Sequence, residues 1–205
     1  KNINLSINNL LEKNLNKLKF DNFSSLARSN RIVITIVALF FLFLTYLLVP
    51  NFYKGQELAK KLNNELSSKL SLNFKFSQDL KYKLFPRPHF LSSDTIIYKN
   101  NFEISKIKKL KIYVSLDNLF SIDNLEINNI LINNANFNLN FENYNFFLNL
   151  LDNNYLNNNL RIKNSNIFFR NFEKEVLFIN KIKDMKYYYD QKDLNNTFYS
   201  ENELF

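Results

Sequence analysis

Cysteine and tryptophan are absent from the 205 residues, and glycine and histidine occur once each. Without cysteine there are no disulfides and no thiolate metal sites, a composition that fits any redox compartment. The single glycine, Gly55, excludes a Gly-rich phosphate loop. The one imidazole, His89, stands between Pro88 and Phe90, where a turn or strand-edge role is expected. No His/Asp/Glu set has ligand spacing and no Ser-His-acid set can be assembled, so neither catalytic residues nor a metal or cofactor is expected. Turns must also manage with little glycine. Asparagine, which outnumbers even leucine, is the next residue most tolerant of positive φ and is expected to take those positions. The net charge of +8 rests on lysine in a composition typical of an AT-rich genome, so it is not read as a nucleic-acid signature.

What the chain does have is a long uncharged run. Ile32 to Val49, IVITIVALFFLFLTYLLV, contains no Gly and no Pro. As a helix rising ~1.5 Å per residue it reaches roughly 27 Å, enough for a hydrocarbon core of about 27 to 30 Å. A core helix of a globular domain rarely stays apolar on every face for that length. The run exceeds the apolar region of a cleaved signal peptide, and nothing resembling Ala-x-Ala precedes Asn51, so an uncleaved anchor is expected. Tyr46 suits an interfacial ring, and Pro50 is expected to stop the helix. Both flanks carry a net charge of +4, but Arg28 and Arg31 sit tight against the helix start, which favours a cytoplasmic N-terminus.

Before the anchor, Ile3, Ile7, Leu10, Leu11, Leu15 and Leu18 recur at helical spacing. That amphipathic segment has three open readings: lying on an anionic leaflet, packing on another protein, or fraying in water. After the anchor, Leu58, Leu62, Leu66 and Leu70 recur every four residues, as expected of a helix covering one face of a sheet, with a membrane-surface helix as the alternative. The period then becomes two. Leu72, Phe74 and Phe76, then Leu80, Tyr82 and Leu84, predict two half-buried strands joined as a hairpin through Ser77-Gln78-Asp79. Phe85-Pro86-Arg87-Pro88 breaks the pairing, because neither proline can donate a ladder hydrogen bond. Leu110, Ile112, Val114 and Leu116 face one way while Lys109, Lys111, Tyr113 and Ser115 face the other, a pattern usual in antiparallel sheets with one wet face. Asp94, Asp117 and Asp123 read as solvated turn residues near strand ends.

An internal repeat follows. Ile130–Leu139 reads ILINNANFNL and Leu160–Phe169 reads LRIKNSNIFF, offset by thirty residues. In both copies the apolar positions switch from even numbers to odd ones, at Asn133-Asn134 and at Lys163-Asn164. The switch predicts a turn or bulge with Asn in the left-handed conformation. Repeated strand units of this size predict an array that extends by stacking. Phe146, Phe147, Leu150 and Leu151 between the copies fit one helical turn. Val176 to Tyr189 is strand-like, and Asp190 to Asn196 is polar.

The order of these features resembles the start of AsmA family proteins: an anchor, a Leu-rich helix, a strand pair, the step Leu84-Phe85-Pro86-Arg87-Pro88, alternating strands and the unit INNANFNL. The resemblance covers roughly residues 32 to 190, while the segment before Ile32 is longer than the family pattern. It implies a bacterial inner-membrane anchor holding a periplasmic, taco-shaped β-structure whose apolar groove passes phospholipid toward the outer membrane. The fold expected is mainly β with an N-terminal transmembrane helix: an antiparallel, curved, groove-forming sheet with one amphipathic helix. The organisation expected is a cytoplasmic segment over 1–31, a transmembrane helix over 32–49, a helix and linker over 50–71, and a periplasmic β domain over 72–205 that begins a longer groove. Candidates for lining that groove are Leu110, Ile112, Val114, Phe137, Leu139, Ile167 and Phe169, with Phe85, Pro86, Arg87 and Pro88 as a structural motif. Membrane phospholipid and other envelope proteins are the partners implied, and nucleic acid is not. The alternative is a structural or assembly role, with the same apolar faces packed as a dry core and a sheet edge recruiting a partner by strand addition.

Overall fold

The computed structural model describes residues 31–70, 72–77, 80–99, 102–144, 159–190, 192 and 195–205. The amphipathic helix expected over 3–18, the helical turn expected at 146–151, Gln78 and Asp79 of the expected hairpin turn, and part of the polar stretch expected over 190–196 lie outside the described residues. Two units divide between Thr45 and Tyr46 and are described separately.

Helix α1 (Arg31–Leu48) supplies the described part of the first unit and ends just inside the second. The stretch Arg31–Phe52 is long and apolar enough to cross a membrane. Its two threonine hydroxyls are satisfied within the helix itself. Thr35 Oγ1 donates to the Arg31 carbonyl and Thr45 Oγ1 to the Phe41 carbonyl, each at 2.9 Å, so neither hydroxyl is left unpaired on the apolar surface. Apolar side chains such as Ile36 and Leu42 are exposed all round. Pro50 ends α1 as expected, in a short 3-10 turn over Val49–Phe52.

In the second unit the 3-10 turn is followed by helix α2 (Gly55–Leu70). Leu58, Leu62, Leu66 and Leu70 form one buried stripe, and the amide of Phe74 donates to Asn63 Oδ1 at 2.7 Å, tying the helix to the strand that follows. Of the two readings of this helix, the one that covers a sheet is the arrangement seen.

Eight strands then make one sheet: β1 (Asn73–Lys75), β2 (Lys81–Lys83), β3 (His89–Lys99), β4 (Phe102–Val114), β5 (Ile127–Leu139), β6 (Asn159–Arg170), β7 (Val176–Asp190) and β8 (Asn195–Leu204). Their order is β1-β3-β4-β5-β6-β7-β8, with β2 beside β1 on the outer edge of β3. The sheet is open and curved. Three expectations change here. β1 and β2 do not form a hairpin with each other: β1 pairs with the second half of β3 and β2 with the first, since alternation reports which side faces inward and not which strand is the neighbour. β3 and β8 carry no strand prediction, because too few of their inward residues are apolar. The sheet is also not wholly antiparallel, since β5 and β6 run parallel.

That parallel pair explains the thirty-residue repeat. Every partner across it differs by thirty, Ile130 against Leu160 and Phe137 against Ile167 among them. Equivalent residues therefore meet side by side. Asn166 Nδ2 donates to its equivalent Asn136 Oδ1 at 3.1 Å and the Ala135 amide to its equivalent Ser165 Oγ at 3.0 Å, while Asn164 Nδ2 reaches diagonally to Asn133 Oδ1 at 3.2 Å. Stacked amides of this kind satisfy donors and acceptors along the outer face.

The parity switch is not confined to the repeat. Inward positions step by three instead of two in five adjacent strands: Ser92 to Thr95, Ile107 to Leu110, Ile132 to Ala135, Ile162 to Ser165 and Ile182 to Met185. The intervening residues line up across the sheet, Asp94, Lys108, Asn134, Asn164 and Lys183 each falling in a gap of the pairing register. Asp94, Asn134 and Asn164 have φ of 50°, 56° and 48°. One extra residue per strand at a common level bends the sheet while keeping the apolar face inward on both sides of the bend. Asp94 is therefore the residue at the bend of β3 and not a strand-end turn residue.

Asn134 is exposed, so its substitutions read the backbone alone. Asn134→Gly is expected to change stability by less than about 0.5 kcal/mol, and Asn134→Val to cost roughly 1–2 kcal/mol or more, because a β-branched residue clashes at positive φ. Denaturant unfolding of the full chain in detergent measures both.

Candidate functional site

The inner face of the sheet changes character from one side to the other. At Phe90 of β3, Leu110, Ile112 and Val114 of β4 and Ile130 of β5 it is closed: these sit in the same buried cluster as Leu58, Leu62 and Leu66 of α2, with Leu110 and Ile112 at 0 % exposure. The three groove candidates among them are core. Leu116, expected on the same face, lies beyond the end of β4 and is exposed, and Ser115 opposite it is buried.

Beyond α2 the face opens. A cleft of about 310 Å³ starts at Leu70 and Leu72, where the helix ends, takes in Phe74 of β1, Ile97 of β3 and Ile104 of β4, and runs over β5 to β8. The other four groove candidates all line it, Phe137 and Leu139 as buried residues of its floor and Ile167 and Phe169 as partly buried ones. Its volume falls at the lower end of the roughly 300–1,000 Å³ usual for small-molecule sites. The lining is apolar apart from the amides of Asn180 and Asn202 and the Tyr144 hydroxyl. Inward residues become more accessible from strand to strand: Ile162 is buried, Met185 partly buried, and Phe198 half exposed. Phe169 and Phe178 stack with centroids 4.1 Å apart, extending the apolar surface toward Phe141 and Phe172 at the end of the strands. Sequence reasoning missed Leu70, Leu72, Ile182, Met185 and Phe198. The step of three from Ile182 to Met185 repeats the rule seen in the two repeat copies and would have found that pair. Nothing local marks Leu70 or Leu72 as the point where the cover ends.

The outer face is polar and internally paired. Arg161 makes two parallel hydrogen bonds to Asp184, from Nε to Oδ1 at 2.8 Å and from Nη2 to Oδ2, and Lys163 Nζ lies 3.7 Å from the same carboxylate. The guanidinium holds the Asp184 carboxyl below the usual carboxylate range. Among the described residues, no three His, Asp or Glu side chains converge where a metal ion could be held.

The step Phe85-Pro86-Arg87-Pro88 joins β2 to β3. Phe85 is exposed and precedes a cis proline, and the Pro88 carbonyl accepts from the Val114 amide at 3.3 Å, securing the step to the end of β4. Pro86 and Arg87 border, with Tyr113, Arg161 and Lys186, a second depression of about 330 Å³. His89 follows at the start of β3, buried, its ring 5.2 Å from that of Tyr113 and its Nδ1–H donating to the Arg87 carbonyl at 2.7 Å. The turn or strand-edge role expected for His89 is not the one it has: it opens β3 between Lys83 of β2 and Tyr113 of β4, because β2 covers the edge that the alternation left open. Burial lowers its pKa against the smaller opposing effect of that hydrogen bond, with Lys111, Lys83 and Lys109 adding to the lowering.

Three tyrosine hydroxyls tie the end of α1 and the following turn to the rest of the second unit. Tyr46 donates to the Leu116 carbonyl and accepts from the Leu119 amide at 3.0 Å; Tyr53 donates to the Leu119 carbonyl; Tyr82 donates to the Leu47 carbonyl at 2.8 Å. Burial raises the pKa of Tyr53 and pushes Tyr82 up to about 12.

His89 is the only histidine. Its folded pKa lies below the ordinary value near 6.5, so the neutral ring stabilises the fold above that pH, and the contribution is lost as pH falls through the folded value. The melting temperature of the chain in detergent is expected to be flat above about pH 7 and to drop on acidification toward about pH 5.5, and His89→Gln to flatten that drop. The tyrosines act with the opposite sign: Tyr82 contributes fully below about pH 10, and its contribution is lost as pH rises toward 12.

No curated protein matches the chain at a significant level. The model of the AsmA family matches residues 25–179, which takes in the apolar helix, α2, the proline step and the sheet into β7. The apolar helix, the sheet as far as the start of β7 and the parallel repeat thus lie in one matched stretch, and the chain belongs to the AsmA family.

Proposed function

We propose that this chain is the anchored start of a lipid conduit: a single-pass inner-membrane protein, N-terminus cytoplasmic and bulk periplasmic, whose β cleft takes acyl chains of phospholipid moving between membranes in outer-membrane biogenesis. The observation that carries this reading is the inner face itself, buried under α2 at one side and open as an apolar cleft at the other. A surface that served only as a dry core would be covered throughout. Each acyl methylene moved from water to such a surface contributes ~0.8 kcal/mol, so a lipid is held by area alone, with no catalytic group and no cofactor. The two lining amides suit the ester region of a lipid better than a second apolar layer. Family membership supports an envelope setting, and the positive residues before α1 support the orientation. Stacking of further strands on β8 would lengthen the cleft, in keeping with the repeat.

Photo-crosslinking in native membranes tests the reading. With a photoreactive residue at Ile167 or Phe169, labelled phospholipid is expected to be captured; at Asn138, Lys111 and the buried Leu110 it is not. Capture at none of these positions, or equally at the outer-face controls, would remove the lipid role and leave the partner-binding alternative.

A further inference from the structure

The loop between β4 and β5, residues 115–126, is held at the end of the apolar span. Tyr46 lies within that span, two residues before α1 ends, and its hydroxyl bonds to both Leu116 and Leu119 of the loop. Tyr53, one residue after the span, bonds Leu119 as well. The loop's own fold supports the arrangement: Leu119 and Leu125 are buried, Asn118 takes φ of 59°, and Ser115 Oγ donates to Asp117 Oδ2 at 2.8 Å. Apolar side chains nevertheless point outward. Phe120 is 73 % exposed with its ring 4.8 Å from that of Tyr46, Leu116 is 45 % exposed, and Phe52, at the end of the span, is 85 % exposed. Exposed Phe and Leu on a short, internally bonded loop are costly in water, and aromatic rings are enriched where a chain leaves a bilayer.

We infer that Phe120, Leu116 and Phe52 form a seat in the interfacial layer of the same membrane that holds α1. The hydrogen bonds from Tyr46 and Tyr53 fix the loop at the depth of the helix end, so whatever layer surrounds that end surrounds Phe120. The loop thereby adds a second point of membrane contact to the one the helix makes. The inference goes beyond the conduit reading: it rests on α1 spanning a membrane and not on the cleft carrying lipid.

The absence of tryptophan makes a direct test available. Single variants Phe120→Trp, Leu39→Trp and Phe172→Trp, each in the full chain, are reconstituted into phosphatidylcholine vesicles containing phospholipid brominated near the top or near the end of the acyl chain. Phe172, 82 % exposed, lies in the turn after β6, roughly 35–40 Å along the strands from the loop's end of the sheet, and its variant reports bulk water. The indole of the Phe120→Trp variant is expected to emit to the blue of that in Phe172→Trp and to lose roughly half its intensity to shallow bromine. The Leu39→Trp variant is quenched most by deep bromine, and the Phe172→Trp variant by neither. If Leu39→Trp is quenched and Phe120→Trp behaves like Phe172→Trp, the seat is overturned with the anchor intact. If Leu39→Trp is not quenched either, the membrane span fails and the seat with it. Crosslinking in the cleft is unaffected by the first of these outcomes, so the two readings fail separately.

Discussion

Every long strand of this sheet has to keep its apolar side chains on one face while its backbone turns a corner. Period-two alternation alone cannot do that. A bend made by an extra residue inverts the alternation, so apolar residues placed at even positions before the bend must move to odd positions after it. β3 to β7 all make the change at the same level, and three of them place a residue with positive φ there. Glycine is the usual residue for that conformation, but the chain's one glycine is at the start of α2, where nothing lies within 4 Å of an added Cβ. Asparagine and aspartate, whose short polar side chains tolerate left-handed backbone, take those positions instead.

The bend makes a trough, and α2 decides how much of it is filled. Its leucine stripe runs the length of a sixteen-residue helix and is buried in one cluster with Phe90, Leu110, Ile112 and Ile130 of β3 to β5. Where the helix stops, the inner face is left without a second layer, and the same kinds of side chain that make a core at Leu110 make a cleft at Phe169. Core and groove are not competing descriptions of this sheet. They are adjacent regions of one apolar face, separated by the end of a helix.

On the outer face the parallel register of β5 and β6 sets like residues beside like, which is why Asn136 pairs with Asn166, while the Arg161–Asp184 pair bridges β6 and β7. At the end where the chain leaves the apolar span, tyrosine rather than ionic contact makes the attachment. A phenol offers an apolar ring and one hydrogen-bonding tip, suited to a position between hydrocarbon and water. That all three hydroxyls bond to backbone carbonyls makes the attachment independent of the charge state of any neighbour in the neutral range.

The sequence by itself determined everything that depends on local periodicity. The apolar span, the leucine stripe of α2, the inward faces of β4 to β6 and the left-handed asparagines at 134 and 164 follow from spacing, because each is fixed by how a backbone presents successive side chains. The match to the AsmA family agrees with that order of elements. Tertiary structure decided which strands are neighbours, that β5 and β6 run parallel, and where the cover ends. These are relations between residues far apart in the chain. Leu110 and Phe169 carry the same alternation signal, and only the reach of α2 makes one of them core and the other the wall of a cleft.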